Sequence, residues 1–302
     1  MPDLAVAAIV GPTAVGKTEL SLEVAEQLDA EIVSVDSMQI YVGMDIGTAK
    51  AGKTERDRVP HHLLDLRDPD HELTVAEFQT LARAAIDDVA GRGRMPLLVG
   101  GSGLYFRAVI DELSFPPRSR AVRSSLEAEA DELGAEALHA RLAEFDPVAA
   151  QKIEPGNARR SIRVLEVIEV TGRPFSDNDS WERYESIYDV RIAGVTRARS
   201  ELFRRIEARV DAMLAAGLVG EAHGLADKLG RTARQALGYK QILDTPEASM
   251  DELRDAIVRA TKRFARRQES WFRADPRITW FDADAAGVDD VVGFFSGRHA
   301  LP

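Results

Sequence analysis

Short apolar runs recur through the first hundred positions of this 302-residue chain, at residues 5–10, 31–35, 62–66 and 97–99, each bounded by turn residues or a longer segment of helical period. A strand covered on both faces reads as a nearly continuous apolar run, and such runs alternating with helices predict a parallel sheet wrapped by helices. The clearest helix lies between the last two runs. Thr74 and Glu77 have capping-box spacing, after which Val75, Phe78, Ala82, Ala85, Ile86 and Val89 form one apolar face that ends at Gly91.

Strand patterns vanish between about residues 118 and 188. Helical stretches at 121–145 and 159–170 are interrupted there by Asp146-Pro147 and Glu154-Pro155-Gly156. A strand is predicted again at 190–195, followed by helical periodicity in Leu202, Phe203, Ile206, Val210, Met213 and Leu214, and a further helix is expected over 250–273. The expected organisation is an α/β core built from 1–117 and 190–302, with C-terminal helices, interrupted by a helical insertion at 118–189.

Composition refines this outline. With 45% hydrophobic residues the chain can bury a large core. The apolar run at 4–10 has no basic residues before it and leads into a glycine-rich loop, so it reads as a buried strand and not a signal sequence. No apolar stretch approaches the roughly 20 residues of a membrane-spanning helix. A cytoplasmic protein is therefore expected. The absence of cysteine excludes disulfides, thiolate catalysis and cysteine-based metal sites. A net charge of -11 argues against a nucleic-acid partner, but Arg159, Arg160 and Arg163, the arginines of 199–209 and the basic residues of 262–273 are clustered, and local basic surfaces are compatible with an acidic whole.

The segment Gly11, Pro12, Thr13, Ala14, Val15, Gly16, Lys17, Thr18 fits the phosphate-loop pattern G-x-x-x-x-G-K-[ST] between a predicted strand and a predicted helix. In such a loop backbone N–H groups converge on phosphate oxygens, the lysine adds positive charge, and the final hydroxyl can hold magnesium. The core is thus P-loop NTPase-like. Asp36 follows the second strand at the edge where ligands sit in open α/β sheets, and it can serve as a base, assist a metal, or simply cap a turn. No apolar strand ends in the metal-holding carboxylate of a hydrolysing P-loop ATPase, since residues 97–99 run into Gly100-Gly101-Ser102. That glycine pair permits close approach to the backbone, and Ser102 either caps the next helix or touches a ligand. Arg205 and Arg209 share a helix face that is either solvated surface or a joint contact for anionic oxygens, and Lys262, Arg263, Arg266 and Arg267 share another that is either solvated or suited to an RNA backbone, with Phe264, Trp271 and Phe272 largely apart from them. His61 and His62 have no partner at metal-ligand spacing and are expected to be structural.

Taken together these motifs resemble the tRNA dimethylallyltransferase (isopentenyltransferase) family along nearly the whole chain. The carriers are residues 11–18, the second-strand motif at 33–41, GMDIGTAK at 43–50, PHHLLD at 60–65, and 96–105 with Ser102 where threonine is usual. Asp146-Pro147, 159–167, 235–241 and 261–273 also match. The zinc-finger extension of eukaryotic members is absent, so the chain resembles the bacterial form.

The resemblance implies transfer of the prenyl group of dimethylallyl diphosphate to the N6 amine of an adenine beside the anticodon of tRNA, with diphosphate as leaving group and Mg2+ as cofactor. It further implies that Asp36 acts as base toward the amine, that Thr13 and Arg209 stabilise the diphosphate, and that Lys17 and Thr18 complete the phosphate and metal site. Along the tRNA path it implies Asp36, Ser37, Met38, Gln39, Ser102, Arg123, Arg159, Arg160, Ser161, Ile162, Arg163, Gln235, Gly238, Tyr239 and Lys240. A monomer without an obligate protein partner is expected. Two rivals are a P-loop small-molecule kinase, which would consume a nucleotide γ-phosphate, and a nucleotide-gated RNA-binding module without catalysis.

Overall fold

The computed structural model describes residues 4–178, 180 and 183–297 and divides them into two compact units, 112–183 and the remainder. The larger unit carries a six-stranded, all-parallel sheet: β1 (Ala5–Val10), β2 (Ala30–Ser34), β3 (His61–His62), β4 (Met95–Gly100), β5 (Asp189–Thr196) and β6 (Ile278–Asp282), in the order β3-β2-β4-β1-β5-β6. Its helices are α1 (Lys17–Leu28), α2 (Lys53–Arg58), α3 (Val75–Gly91) and α4 (Gly103–Ile110). The smaller unit contains α5 (Arg120–Leu133), α6 (Ala135–Phe145), α7 (Pro147–Gln151) and α8 (Ala158–Thr171). The larger unit then resumes with α9 (Arg199–Ala215), α10 (Leu218–Leu225), α11 (Tyr239–Asp244), α12 (Met250–Arg273) and α13 (Val288–Phe295).

Both faces of the sheet are covered, which is why its central strands are apolar without alternation. Along β1, Val6, Ala8 and Val10 join a core with Phe78, Ile86, Phe106 and Tyr239, whereas Ala7 and Ile9 join a second core with Leu22, Leu202 and Ile206. The predicted capping box of α3 is present: the Thr74 hydroxyl accepts the Glu77 N–H while Glu77 accepts the Thr74 N–H at 2.8 Å. A third cluster, centred on Leu126, Leu138, Leu142, Ile162 and Leu165, forms the core of the smaller unit. Among the described residues no helix is long and apolar enough to cross a membrane.

Four expectations need correction. The strand at 62–66 stops at His62, because Leu63 and Asp65 adopt positive φ and turn the chain away from the sheet. The helical stretch 121–145 is two helices, since Gly134 at φ 88 breaks it. β6 escaped the apolar-run criterion because it lies at the sheet edge and mixes Thr279, Trp280 and Asp282 with its buried Ile278. The smaller unit runs over 112–183, not 118–189. The Arg163 guanidinium donates to the carbonyls of Pro116 and Pro117, tying that stretch into it, whereas Ile187 and Ser186 both donate to the Ile110 carbonyl and Tyr188 packs in the larger core. Where the chain leaves the larger unit, Asp111 is held by Arg107 and Arg277, each at 2.6 Å, and where it returns Tyr184 lies under both guanidinium groups.

Candidate functional site

Strand register decides which loops meet. Val10 pairs with Gly100 and Ser34 with Val99, so Gly11 and Gly101, one residue further on, and Asp36, two beyond Ser34, begin three adjacent loops at the carboxyl end of β1, β4 and β2. With strands about 4.8 Å apart, the phosphate loop and Asp36 lie roughly 10 Å from one another, with the 101–103 loop between them. A cavity of about 760 Å³ opens there, lined by Thr13, Lys17, Thr18, Asp36, Ser102 and Arg209 among others. This is where ligands bind in doubly wound sheets.

The phosphate loop is braced from several sides. Gly16 at φ 112 lets the chain turn into α1, a conformation a side chain would strain. Lys17 Nζ donates to the carbonyls of Gly11 and Pro12 at 2.9 and 2.8 Å, and Arg205 and Arg197 donate to those of Ala14 and Val15 at 2.9 and 3.3 Å. With these carbonyls engaged, loop N–H groups other than that of Thr13, which Gln268 accepts, are left for an anion. Burial pushes the Lys17 ammonium down to about 7, with the positive charge of Arg209 adding to the effect and the Asp36 carboxylate opposing it. Burial likewise lowers Arg209, and Asp36 again opposes. These mutual effects place Lys17, Arg209 and Asp36 in one electrostatic neighbourhood. A diphosphate arriving there would find two desolvated cations, and a proton donor would find a carboxylate.

On the opposite wall Asp36 Oδ1 accepts the Met38 N–H at 2.8 Å, which orients the carboxylate. Ser102 does not cap α4. Its hydroxyl instead accepts the Ser37 N–H and lies 3.4 Å from the Ser37 hydroxyl, against the cavity. Gln39 is engaged at both ends, accepting from the Ser34 hydroxyl at 2.9 Å and donating toward the Thr48 and Ala49 carbonyls, so it shapes the wall formed by 47–51. His61 also lines the cavity, with Nδ1 2.8 Å from the Val59 carbonyl and its pKa lowered by burial, while His62 lies 2.6 Å from Glu31.

Two contributors carry weaker signals in sequence. Gln268, 7% exposed, accepts the Thr13 N–H and donates to the Gly101 carbonyl, both at 2.9 Å. Its mark is a polar residue on the buried stripe Thr261, Ala265, Gln268, Phe272 of α12. Glu221 of α10 accepts the N–H groups of Asp45, Ile46 and Gly47 at 3.1, 2.8 and 3.0 Å. That interaction joins two segments more than 170 positions apart, and no local spacing reports it.

Known proteins sharpen the reading. The model of the IPP transferase family matches residues 39–275, most of the chain. The chain belongs to the IPP transferase family. A tRNA dimethylallyltransferase of Streptomyces coelicolor is 53% identical over 288 residues, covering 93% of this chain and 91% of its own. A crystal structure of the full-length tRNA isopentenylpyrophosphate transferase of Bacillus halodurans is 42% identical with a TM-score of 0.71, covering 97% of this chain and 96% of that one. A structure of a eukaryotic dimethylallyltransferase acting on tRNA is 26% identical with a TM-score of 0.85, over 99% of this chain and 81% of that one. The predicted P-loop-like α/β fold of an IPP transferase is therefore the fold observed.

The residues that the resemblance assigned to an RNA path in this IPP transferase fall into different environments. Asp36, Ser37, Met38, Gln39, Ser102 and Gln235 line the cavity. Arg159 and Arg160 are exposed near the start of α8. Ser161 and Ile162 are buried in the smaller unit, and Tyr239 is fully buried with its hydroxyl on Glu221. Arg163 and Arg123 pair with Glu166, which is itself buried and accepts the Ser119 N–H at 3.0 Å. Their charge is committed inside the unit. Gly238, at φ 87, caps α11 by donating its N–H to the Gln241 side chain, and Lys240 pairs with Asp244 at 3.2 Å.

Proposed function

We propose that this IPP transferase moves a dimethylallyl group from dimethylallyl diphosphate to the exocyclic N6 amine of the adenine 3′ to the anticodon of tRNA, giving N6-dimethylallyladenosine and diphosphate. The observation that carries the reading is that a phosphate loop, Asp36, Lys17 and Arg209 line one cavity, with the Asp36 carboxylate acting electrostatically on both basic groups. A diphosphate bound there is a leaving group and not a phosphoryl donor. The bond between the prenyl carbon and the diphosphate oxygen breaks, its electron pair leaving with the diphosphate, while the amine nitrogen bonds to that carbon and surrenders a proton to Asp36. Lys17, Arg209 and the loop N–H groups stabilise charge developing on the departing oxygens. No water need be positioned, which agrees with a β4 that ends in glycine where a hydrolase carries a carboxylate.

The cavity's oxygen donors, the Thr18 hydroxyl and the Asp36 carboxylate, suit magnesium, and the ion would add positive charge beside the diphosphate. The adenine must leave the anticodon-loop stack to reach the cavity, and Ser37, Met38, Gln39, Ser102 and Gln235 supply polar and apolar edges to receive it. Arg159 and Arg160 of the helical unit are proposed to contact the tRNA backbone, and the protein to act as a cytoplasmic monomer. The test is incubation with dimethylallyl diphosphate, magnesium and unmodified tRNA, followed by mass analysis of nucleosides. Formation of dimethylallyladenosine and diphosphate without ATP is expected. ATP consumption without prenylation would replace this reading with a kinase, and tight tRNA binding without either product would replace it with a binding module.

A further inference from the structure

Gln268 lines the cavity and ties two of its loops together. Its side-chain oxygen takes the Thr13 N–H and its side-chain nitrogen the Gly101 carbonyl, each at 2.9 Å, so a single planar amide spans from the phosphate loop to the loop after β4. The fit leaves no slack. A Cβ added at Gly101 would stand 2.3 Å from the Gln268 nitrogen and 3.2 Å from the Gly11 carbonyl, and one added at Gly103 would stand 2.0 Å from the Trp271 ring. Gln268 and Trp271 lie one turn apart on α12, so this helix grips the 101–103 loop at two points. Between those points Ser102 reaches Ser37, the neighbour of Asp36.

We infer that Gln268 is a positioning residue that sets the separation between the diphosphate side and the amine side of the cavity. The inference rests on the function proposed above. Fixing the Thr13 backbone orients a residue that lines the diphosphate side, and fixing the Gly101 carbonyl orients the peptide that carries Ser102 on the amine side. Displacement at carbon requires nucleophile, carbon and leaving group in line, and a misplacement of about 1 Å costs on the order of 10²-fold in rate. Because Gln268 joins the two loops through their backbones, it acts on their spacing, and its effect is expected in kcat more than in KM.

Two variants test this. Gln268→Met keeps the side chain's length and removes both hydrogen bonds; kcat should fall by about 10²-fold while KM for dimethylallyl diphosphate and for tRNA each change less than about threefold. Gln268→Glu keeps the shape, but an ionised carboxylate confronts the Gly101 carbonyl with a second acceptor, whereas the protonated acid restores both bonds. The ratio of Gln268→Glu to parent activity should therefore climb as pH is lowered from about 9 to about 5.5. A merely packed side chain would instead lower the amount of folded enzyme, leaving kcat per folded molecule unchanged in both variants. Parent-like kcat in Gln268→Met overturns the inference, and so does a flat activity ratio for Gln268→Glu, which decides the matter even if Gln268→Met fails to fold. A parent enzyme that does not prenylate tRNA at all would instead refute the proposed function.

Discussion

Lys17 offers a sharp test of the site's electrostatics. Its ammonium is pushed down to about 7, first by burial and then by Arg209, so the resting site holds a lysine that titrates near neutrality. A bound diphosphate brings negative charge against Nζ and favours the protonated form, so binding takes up a proton whenever Lys17 starts neutral. With Lys17 titrating near 7, the charged fraction falls roughly a hundredfold between about pH 6 and pH 9, and the donor's dissociation constant should rise by up to a similar factor. Calorimetric titration with a non-reactive diphosphate analogue would read it. Lys17→Arg is the control, because arginine stays charged throughout and leaves the ligand's own titration in place. The pH dependence of parent relative to Lys17→Arg isolates the lysine. The fold responds with the opposite sign: between about 7 and 10.5 the unfolded chain binds more protons at Lys17 than the folded one, so this residue's contribution to stability rises with pH in that window. Identical pH profiles for the parent and Lys17→Arg would refute the reasoning.

Asp36→Asn should lower single-turnover prenylation by at least about 10² while tRNA affinity stays near the parent's, and a parent-like rate at saturating substrates would remove Asp36 as the base. Replacing Arg159 and Arg160 with alanine should flatten the log-log salt dependence of tRNA binding by about 1.4 to 1.8, as two lost backbone contacts require, and an unchanged slope would show them merely solvated. Arg163→Ala should instead destabilise the helical unit by roughly 3 kcal/mol in a denaturant titration, because it removes a partner of the buried Glu166. Gly103→Ala should cost about 1 to 3 kcal/mol of stability, since its methyl would overlap the Trp271 ring, and an unshifted unfolding midpoint would contradict that packing.

The phosphate loop, Asp36 and the sheet core were legible because each rests on local pattern. The loop's spacing reflects backbone geometry within eight residues, and the apolar runs reflect strands covered on both faces. What sequence concealed is non-local. Gln268 and Glu221 act on segments 167 or more positions away, and although Gln268 stands out as a polar residue on a buried helix stripe, periodicity does not name the partners of either. The Gly100-Gly101 pair was read correctly as a place of close approach, but the approaching groups belong to the chain itself, the Val35 backbone and the Gln268 amide. For Ser102 the residue type left open a helix cap or a ligand contact. The neighbouring Ser37 amide takes its hydroxyl instead, and a capping preference inferred from residue type could not anticipate that competition.

The acidic composition shows why an average charge misjudged the partner. Many basic side chains in this fold serve internal ends: Lys50 donates to the Tyr41 carbonyl, Asp45 and Asp65, Arg163 secures Pro116 and Pro117, and Arg254 pairs with Asp211. Committed cations of this kind release no counterions on meeting a nucleic acid, just as many of the carboxylates that make the chain acidic are already neutralised locally. What counts for a polyanion is the position of the remaining exposed charge. Arg159 and Arg160 stand together at the start of α8, and the desolvated Lys17 and Arg209 are confined to the cavity. On the proposed function, an enzyme so arranged would gain modest electrostatic attraction from its surface and keep Lys17 and Arg209 for the diphosphate, where developing charge must be stabilised and where desolvated cations are most effective.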